Sequence, residues 1–393
     1  MSLPPLRLKK NEDRRLRAGH LWVFSNEVDV AATPLTAFEP GEMVEVQDVR
    51  GAPLGSAYVN PRSLIAARLV SRQRGRVLDA DLLRRRLGRA LALREMLFSR
   101  PFYRLCFGEG DALPGLVVDR YDGWLVAQVT TAGMERVTEE VVQALRDTVE
   151  VEGILFRNDT SGRALEGLDS HVVAHGDIPE VLPVEENGVR FEVAASGQKT
   201  GWFYDHRLNR ARMAAYAPGR RVLDVFSYAG GWGIQAAAAG AAEVTCVDAS
   251  AAALEAAARS AALNGVEDRV RTVRADAFDA LGRLAADGER FGMVVLDPPA
   301  FVKRKKDLKA GEEAYRRANG LAMELLEPDG ILVSASCSHH FGREALQDSI
   351  LRAGRRLGRE VQLLEAGGQG PDHPVHPAIP ETAYLKSFVA RVA

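Results

Sequence analysis

The sequence predicts an α/β fold in which a parallel sheet, covered by helices on both faces, follows a β-rich module and a small α/β module. From about residue 220, short apolar strands alternate with helical segments, which is typical of a parallel sheet with crossover helices. Within 1–72, short alternating runs are separated by Gly, Pro and Asn, which indicates paired strands. Residues 79–99 carry apolar side chains at helical spacing, so we expect a connecting helix there.

The chain has 393 residues, more than one hydrophobic core usually serves, so two or three domains are expected. We predict a β-rich domain at 1–72, a linker helix with a central α/β domain at 73–190, and the parallel-sheet domain at 191–393. Hairpins are predicted at Asp122-Gly123 and at Asn187-Gly188, because these dipeptides favour tight turns.

Composition narrows the class of protein. Hydrophobic residues make up 46% of the chain and charged residues 26%, as in ordinary globular proteins. The three cysteines have no regular spacing, so neither a disulfide scaffold nor a metal site is predicted. The first residues have no secretory apolar segment, and no stretch approaches the roughly 20 apolar residues of a membrane span. A cytoplasmic protein with no membrane partner is expected.

Charge is distributed unevenly along the chain. Residues 1–100 hold 18 Lys and Arg against 11 Asp and Glu, a net charge of +7, whereas the remainder carries −9. A basic front on an acidic body is typical of a protein whose first part meets a polyanion such as RNA. A solvated basic surface without a partner explains the same numbers, so the charge alone leaves both open.

The parallel sheet is predicted element by element. Its strands are expected at 221–226, 243–248, 269–276, 292–299 and 330–338. Helices are expected after the first strand, at 250–263, up to about 286, and at 312–327 and 343–356. Because ligands of such sheets bind beyond the carboxyl ends of the strands, the residues that end these strands are the candidate functional residues.

Acidic residues end or follow four of the strands, and together they indicate the kind of ligand that this edge of the sheet binds. The stretch FSYAGGWG after the first strand is not the dinucleotide fingerprint, although its glycines let the backbone approach a ligand closely. Asp248 is expected to accept ribose hydroxyls and Asp276 the adenine amino group. An acidic pocket without a phosphate loop suits the cationic S-adenosylmethionine. We assign this cofactor to the strand-end residues Asp224, Phe226, Tyr228, Gly230, Asp248 and Asp276.

Cys337, in SCS, and Asp297, in DPPAF, follow two strands whose ends we expect to share one pocket. By position alone Cys337 is either a catalytic thiol or a small buried thiol, which is the commoner fate of cysteine. The other two cysteines are expected in the core.

Several motifs together resemble one family, the ribosomal RNA large-subunit methyltransferase I family of class I methyltransferases. The resemblance covers nearly the whole chain and rests on GHLWVFSNEV, GQKTGWFYDHRLNR, VLDVFSYAGGWG, DPPAF, SCS and DHPV…PETAYLK. It implies an N-terminal PUA RNA-binding domain, a central α/β domain and a Rossmann-like methyltransferase domain. It also implies methylation of cytosine C5 in 23S ribosomal RNA.

Cytosine C5 is a poor nucleophile, and this explains the need for a thiol and an acid. Addition of the Cys337 thiolate to C6 makes C5 enamine-like, so that C5 can take the methyl group. Asp297, if it carries or shares a proton, is expected to hold N3. The resemblance adds Thr200 and Asp205 as residues that shape the methionine end of the cofactor.

RNA contacts are expected from basic residues. A base inside a duplex is out of reach, so the target must be single-stranded or flipped. The candidates lie in the basic N-terminal stretch, in GQKTGWFYDHR and in KRKK after the Asp-Pro-Pro loop: Lys9, Lys10, Arg14, Arg15, Arg17, Trp22, Lys199, Arg207, Lys303, Arg304, Lys305 and Lys306. A homodimer is compatible with the sequence.

Three alternatives stay open. A methyltransferase acting on adenine N6 or guanine N2 uses an Asp/Asn-Pro-Pro-aromatic loop without a covalent step, although here Ala300 intervenes before the aromatic Phe301. Uracil C5 is a second possible target, which fits an acid at N3 less well than cytosine. The third is an RNA-binding or ribosome-assembly factor without catalysis, against which the intact strand-end acids argue.

Overall fold

The computed structural model describes residues 3–393, which divide into two units. The first unit contains residues 3–180, 195–202 and 371–382, and the second contains 181–194, 203–370 and 383–393. No helix in residues 3–393 has both the length and the apolar character that crossing a membrane requires.

Two five-stranded sheets form the first unit. Its elements are β1 (Pro5–Arg7), α1 (Asp13–Arg17), β2 (Trp22–Phe24), β3 (Glu42–Gln47), β4 (Pro53–Val59), β5 (Ile65–Ser71), α2 (Ala80–Leu97), β6 (Phe102–Phe107), β7 (Leu116–Tyr121), β8 (Trp124–Val129), α3 (Ala132–Glu135), α4 (Thr138–Thr148), β9 (Gly153–Asn158) and β10 (His171–Gly176). The strand orders are β1-β3-β4-β5-β2 and β10-β9-β8-β7-β6.

The two sheets of the first unit share buried residues. Tyr58 of β4 is buried, packs in the same core as the residues of the second sheet, and donates its hydroxyl proton to Pro114 O at 3.0 Å. Asn60 donates to Glu166 Oε2 at 2.8 Å. Buried polar groups need such partners, and residues 3–72 and 73–180 accordingly belong to one compact unit. The connecting helix α2 begins as predicted, with Asp79 accepting from Leu82 N at 2.8 Å.

The second unit contains the parallel sheet. Its elements are β11 (Val181–Glu186), β12 (Val189–Ala194), α5 (Arg207–Ala214), β13 (Arg221–Val225), α6 (Gly233–Ala238), β14 (Glu243–Asp248), α7 (Ala251–Leu263), β15 (Val270–Arg274), α8 (Ala277–Ala286), β16 (Phe291–Leu296), α9 (Leu308–Leu325), β17 (Leu326–Ser336), α10 (Arg343–Leu357), β18 (Val361–Gly367) and β19 (Lys386–Val392).

Strand order determines where this sheet can bind a ligand. The order is β15-β14-β13-β16-β17-β19-β18, and only β19 runs antiparallel to its neighbours. The chain builds the sheet outward from β13 through β14 and β15, then returns to the other side of β13 with β16 and β17. The order therefore reverses between β13 and β16, and a doubly wound sheet binds ligands outside the carboxyl ends at such a point.

The α/β prediction is confirmed, and all five predicted strands of the sheet are present within a few residues. The two predicted hairpins are β7–β8 and β11–β12. Strands β18 and β19 were not predicted. The predicted boundary at 190/191 falls inside β12, because the β11–β12 hairpin packs as a whole with the second unit.

Candidate active site

The loop after β13 turns sharply because three of its residues adopt left-handed backbone conformations. Phe226, Tyr228 and Gly230 have φ of 63°, 49° and 78°. A non-glycine residue in this region costs about 1–3 kcal/mol and persists only where neighbouring contacts fix it. Here Ser227 N donates to Val247 O at 3.0 Å, and Tyr228 N donates to Asp248 Oδ2 at 2.9 Å. These two hydrogen bonds fix the strained loop at the switch point, the place between β13 and β16 where the strand order reverses.

Asp224 lies on β13 directly beneath this loop and has no solvent exposure. Its Oδ2 accepts from Gly233 N at 2.8 Å, whereas its Oδ1 is buried and has no hydrogen-bond partner among residues 3–393. Burial raises the pKa of Asp224 to about 8, and the nearby carboxylates of Asp297 and Asp248 add to the rise. Asp224 therefore leaves one buried polar atom unsatisfied at the switch point.

Asp248 ends β14 and fixes the backbone around it. Its Oδ2 accepts from Tyr228 N and its Oδ1 from Ser250 N, both at 2.9 Å. Each carboxylate oxygen has two acceptor positions, so Asp248 keeps the capacity to accept a pair of hydroxyls, as predicted for a ribose.

Asp276 has a clear structural role. Its Oδ1 accepts from Phe278 N at 2.9 Å and from Asp279 N at 3.3 Å, so the side chain caps α8. The side chain is exposed, and a contact with adenine stays a prediction.

Asp297, directly after β16, is bound through both carboxylate oxygens. Oδ1 lies 3.2 Å from His206 Nε2, and Oδ2 accepts from Trp232 Nε1 at 3.0 Å. Burial alone would raise the pKa of Asp297, but these two partners and the charge of Arg210 outweigh it and hold the pKa below its usual value. An ionised carboxylate only accepts hydrogen bonds, so this direction of the pKa does not favour a proton on Asp297 for N3, and the predicted contact with N3 stays a prediction.

His206 was not predicted as a site residue, although it lies within the stretch GQKTGWFYDHR. Asn209 Nδ2 donates to Gly368 O at 2.9 Å and lies 3.1 Å from His206 Nδ1. Since the Asn209 amide nitrogen is the donor in both contacts, His206 Nδ1 accepts and Nε2 donates to Asp297. A chain of hydrogen bonds thus orients the Asp297 carboxylate.

A buried ion pair supports the same corner. Glu186, at the end of β11, accepts from Arg210 Nη1 and from Gln235 Nε2, both at 2.8 Å. Arg207 Nε lies 3.7 Å from Glu186 and its guanidinium lies over the Tyr204 ring. Arg207 was predicted to bind RNA, but it is only 7% exposed. That prediction is wrong in this structure, because a phosphate cannot reach a side chain buried against Glu186.

Cys337 follows β17 and is half-buried, whereas Cys106 and Cys246 have no exposure. Ser336 and Ser338, on either side of it, turn inward: both hydroxyls hydrogen-bond Tyr315 Oη, at 2.8 Å and 2.9 Å. Since successive side chains of an extended segment point to opposite sides, this arrangement turns Cys337 away from the serines.

The Asp-Pro-Pro loop and the Ser-Cys-Ser segment are neighbours. Strand β16 pairs with β17 in parallel, with Leu296 opposite Ser334. Beyond the strand ends, Val302 N donates to Ser338 Oγ at 3.1 Å. Asp297 and Cys337 therefore directly follow adjacent strands at the same edge of the sheet.

The two residues assigned to the methionine end of the cofactor differ in their surroundings. Asp205 is buried in the second unit, and its Oδ2 accepts from Tyr384 Oη at 2.5 Å. Thr200 belongs to the first unit, where its hydroxyl donates to Asp119 Oδ2 at 2.5 Å and its carbonyl accepts from Tyr121. For both residues a cofactor contact stays a prediction.

The predicted RNA-binding residues fall into two groups. Those with exposed side chains are Lys9, Lys10, Arg14, Arg17, Lys199, Lys303, Arg304, Lys305 and Lys306. Arg15 and Trp22 are half-buried: Arg15 pairs with Glu27 at 2.7 Å, and Trp22 Nε1 donates to Glu109 Oε1 at 2.8 Å. Their positions are thus fixed within the first unit, where Trp22 also lines a cavity of about 220 Å³.

The edge of the sheet fits S-adenosylmethionine in two respects. Asp224 Oδ1 and the buried Ser227 Oγ have no hydrogen-bond partner among residues 3–393. Buried polar atoms are normally hydrogen-bonded, so both are available to a polar group of the cofactor. A Cβ at Gly230 would lie 2.9 Å from Ile234 Cγ1, so only glycine lets the loop pack this closely. The residues that would hold this cofactor are the loop 226–230 with Asp224 and Asp248.

Comparison with known proteins agrees with this reading. A sequence profile described as S-adenosylmethionine-dependent methyltransferase matches residues 103–389, and a PUA-like domain profile matches 6–72. A Streptococcus mutans protein considered a SAM-dependent methyltransferase superposes with a TM-score of 0.82 at 19% identity, over 99% of this chain and 100% of that one. A protein complexed with SAH superposes at 0.85 with 19% identity, over the same shares of the two chains. These two structures show the shared fold.

Relatives with higher identity match almost end to end. Proteins named ribosomal RNA large subunit methyltransferase I are 38% identical in Tolumonas auensis, 39% in Erwinia tasmaniensis and 38% in Aeromonas salmonicida. Each match covers 98% of this chain and 98% of the relative. The resemblance drawn from the motifs is confirmed: the chain belongs to the ribosomal RNA large subunit methyltransferase I family of S-adenosylmethionine-dependent methyltransferases.

Proposed function

We propose that this protein methylates C5 of a cytosine in 23S ribosomal RNA through a covalent bond between Cys337 and C6 of the base. The observation that carries the proposal is the position of Cys337. It is half-buried at the sheet edge beside the Asp-Pro-Pro loop, whereas Cys106 and Cys246 are fully buried. A thiol kept for packing alone would more commonly be buried like these two.

The chemistry follows from the electronic character of the base. The Cys337 thiolate adds to C6, and the electron pair of the C5–C6 double bond becomes available at C5. Bound S-adenosylmethionine supplies an electrophilic methyl group on its sulfonium. C5 forms a bond to that methyl group as the sulfonium–methyl bond breaks. A base, either water or a carboxylate, then takes the C5 proton, and the electron pair left behind restores the double bond and expels Cys337 as a thiolate.

Asp297 takes a different part from the one that its sequence position first suggested. Its ionised carboxylate accepts hydrogen bonds and cannot donate to N3. The exocyclic amino group of cytosine is a donor, so we assign Asp297 to that group. Trp232 and His206 hold the carboxylate in position for it.

The RNA substrate is inferred from the relatives, which carry the name of the large ribosomal subunit RNA. Exposed basic residues 303–306 directly follow the Asp-Pro-Pro loop and provide positive charge for phosphates. The target base has to be unpaired or flipped to reach a residue at the end of a strand.

The test is methylation of unmodified ribosomal RNA with methyl-labelled S-adenosylmethionine, followed by mass spectrometry of nucleosides. We expect 5-methylcytidine with the wild-type protein and at least about a 100-fold lower rate with Cys337→Ala. The matched control is Cys106→Ala, which removes a fully buried thiol of the first unit and is expected to stay active. Full activity of Cys337→Ala would contradict the proposal.

One observation favours a second candidate, methylation of an exocyclic amine. An ionised carboxylate at the start of Asp-Pro-Pro suits an amino group that reacts as well as one that is only bound. In that case the same experiment gives N6-methyladenosine or N2-methylguanosine, and Cys337→Ala keeps its activity.

A further inference from the structure

Lys386, the first residue of β19, is a buried cation at the same strand ends as Cys337. Lys386 is 6% exposed and lies directly opposite Ser336 of β17 in the antiparallel pair. Directly opposed residues place their side chains on the same face of a sheet. Lys386 therefore begins next to the residue that precedes Cys337.

The Lys386 ammonium reaches past Ser336 to the residue that follows Cys337. Nζ donates to Ser338 O at 2.6 Å and to Tyr384 O at 2.8 Å. Within residues 3–393 no carboxylate lies at ion-pair distance from it. Burial of an ammonium group that is bound only to carbonyls is unfavourable in free energy. An anion formed next to it during the reaction would reduce this cost.

The charges around Lys386 indicate which group supplies that anion. Burial lowers the pKa of Lys386 to about 8, the interaction with Cys337 acts in the opposite direction, and Arg343 adds to the lowering. An interaction between two titrating groups is mutual. The cation that is stabilised by a thiolate at Cys337 must stabilise that thiolate equally.

We propose that Lys386 is a positioning residue for Cys337, which fixes the segment after β17 through Ser338 O and keeps the thiol in its nucleophilic thiolate form. The inference rests on the proposed function, since it names the group that prepares the nucleophile for addition to C6. Thiolates, not thiols, are the nucleophiles in such additions.

Other ionisable groups near this pair do not replace Lys386. Tyr315 of α9 bonds to both serines, and burial raises its pKa, so it stays a neutral phenol. Arg343 at the start of α10 donates to Gly367 O at 2.7 Å, and its chain position is exposed. His339 and His340 lie exposed on the loop that follows.

Alkylation of the intact full-length protein by iodoacetamide tests the proposal without RNA or cofactor. The thiolate forms the S–C bond and iodide leaves, so the rate follows the thiolate fraction. We expect the wild-type profile of rate against pH to have its midpoint below the roughly 8.5 of an ordinary thiol. At pH 7 Lys386→Met should react about 10-fold more slowly, and Lys386→Arg should recover most of the rate.

Two controls keep the result interpretable. Lys309→Met removes an exposed lysine of α9 and should react like the wild type. Cys106 and Cys246 are fully buried, so mass spectrometry should find the label on Cys337 alone, and label on the other two would report unfolding. If Lys386→Met unfolds, the wild-type profile and Lys386→Arg decide the question.

The proposal is overturned if Lys386→Met keeps the wild-type profile, or if the wild-type midpoint lies at or above about 8.5. These outcomes are separate from the proposed function. Failure of the function is seen as full methylation activity in Cys337→Ala, whatever the alkylation profile is.

Discussion

At the scale of single residues, the site depends on acids held in opposite protonation states. Asp224 has a pKa raised by burial to about 8, whereas the partners of Asp297 hold its pKa below the usual value. The two carboxylates are close enough to interact. With Asp224 neutral and Asp297 ionised, this pair contributes a single negative charge at the strand ends, where we propose that the substrate amine and the cofactor cation bind.

Asp297→Asn should destabilise the protein by about 1–3 kcal/mol at pH 7, because the new amide turns a donor towards His206 or Trp232. A lowered pKa stabilises the fold above the unfolded value of about 3.9, and this contribution is lost as pH falls through the folded value. The difference from wild type should therefore persist from pH 7 to pH 5 and shrink below about pH 4. Urea unfolding at several pH values measures it.

Asp276→Asn is the matched control, since Asn caps a helix as well as Asp does. It removes the same charge and should leave the free energy of unfolding nearly unchanged at pH 7. Equal losses in the two variants would mean that the contacts of Asp297 contribute nothing specific.

The strand-end positions of the four acids and of Cys337 were predictable, because strands and their ends follow from hydrophobic pattern. Their protonation states were not. The pKa of Asp297 depends on His206 and Trp232, which lie 91 and 65 positions away in the chain. Likewise, Arg207 gave no sign in the sequence that Glu186 would bury it.

At the scale of elements, the loop after β13 is the part of the proposed cofactor site that the backbone builds. It combines three left-handed residues with a tight contact between Gly230 and Ile234. Such strain is stored where a loop must hold one shape. The loop should therefore tolerate little change, although it contains few of the functional side chains.

Gly230→Ala should destabilise the protein and weaken S-adenosylmethionine binding by about 10-fold or more, because the new Cβ adds a clash to an unfavourable φ of 78°. Gly219→Ala is the matched control: its φ is 71°, but nothing lies within 4 Å of the new Cβ. It should cost about 1 kcal/mol and leave affinity intact. Denaturant unfolding and calorimetry compare the two, and equal affinities would contradict the role given to the loop.

Strands β18 and β19 show where prediction of elements failed. Strand β19 lies between β17 and β18 and pairs antiparallel with both. Such long-range antiparallel pairing leaves no local pattern in one sequence. Lys386 ends the quoted stretch PETAYLK, but no role was predicted for it, because only the pairing with β17 brings it beside Ser336.

At the scale of the whole molecule, the residues proposed for the cofactor and those predicted for RNA are distributed differently between the two units. The residues proposed for the cofactor lie in the second unit, apart from Thr200, whereas all of the predicted basic N-terminal residues lie in the first. This division leads to separate expectations for the cofactor and for RNA.

Hydrogen exchange should show where the cofactor acts. Binding of S-adenosylmethionine should slow exchange in residues 226–233 and 248–253, because ordering of a loop raises its local opening free energy. Strands β1 to β5 should be unchanged. If Thr200 contributes to the cofactor site, residues 195–202 should slow as well; protection confined to the first unit would contradict the assignment of the cofactor.

RNA affinity should depend on salt through residues 303–306. The log of the RNA association constant falls linearly with the log of the salt concentration. The triple variant K303A/K305A/K306A should make this slope less steep by about 2, because each phosphate contact on a single strand contributes about 0.7. The control R352A/R355A/R356A removes equal charge from an exposed face of α10 and should change the slope little. A filter-binding titration from low to high salt distinguishes them, and identical slopes for the two variants would contradict the interface.

The most direct test of the central claim is trapping with RNA that contains 5-fluorocytosine. Fluorine at C5 cannot leave as a proton does, so the bond between Cys337 and C6 should persist after methyl transfer. We expect a denaturation-resistant protein–RNA complex that requires S-adenosylmethionine and whose digestion yields a nucleotide adduct on the peptide containing Cys337. Absence of this complex in an enzyme that methylates the unsubstituted RNA, or an adduct on another residue, would contradict the account.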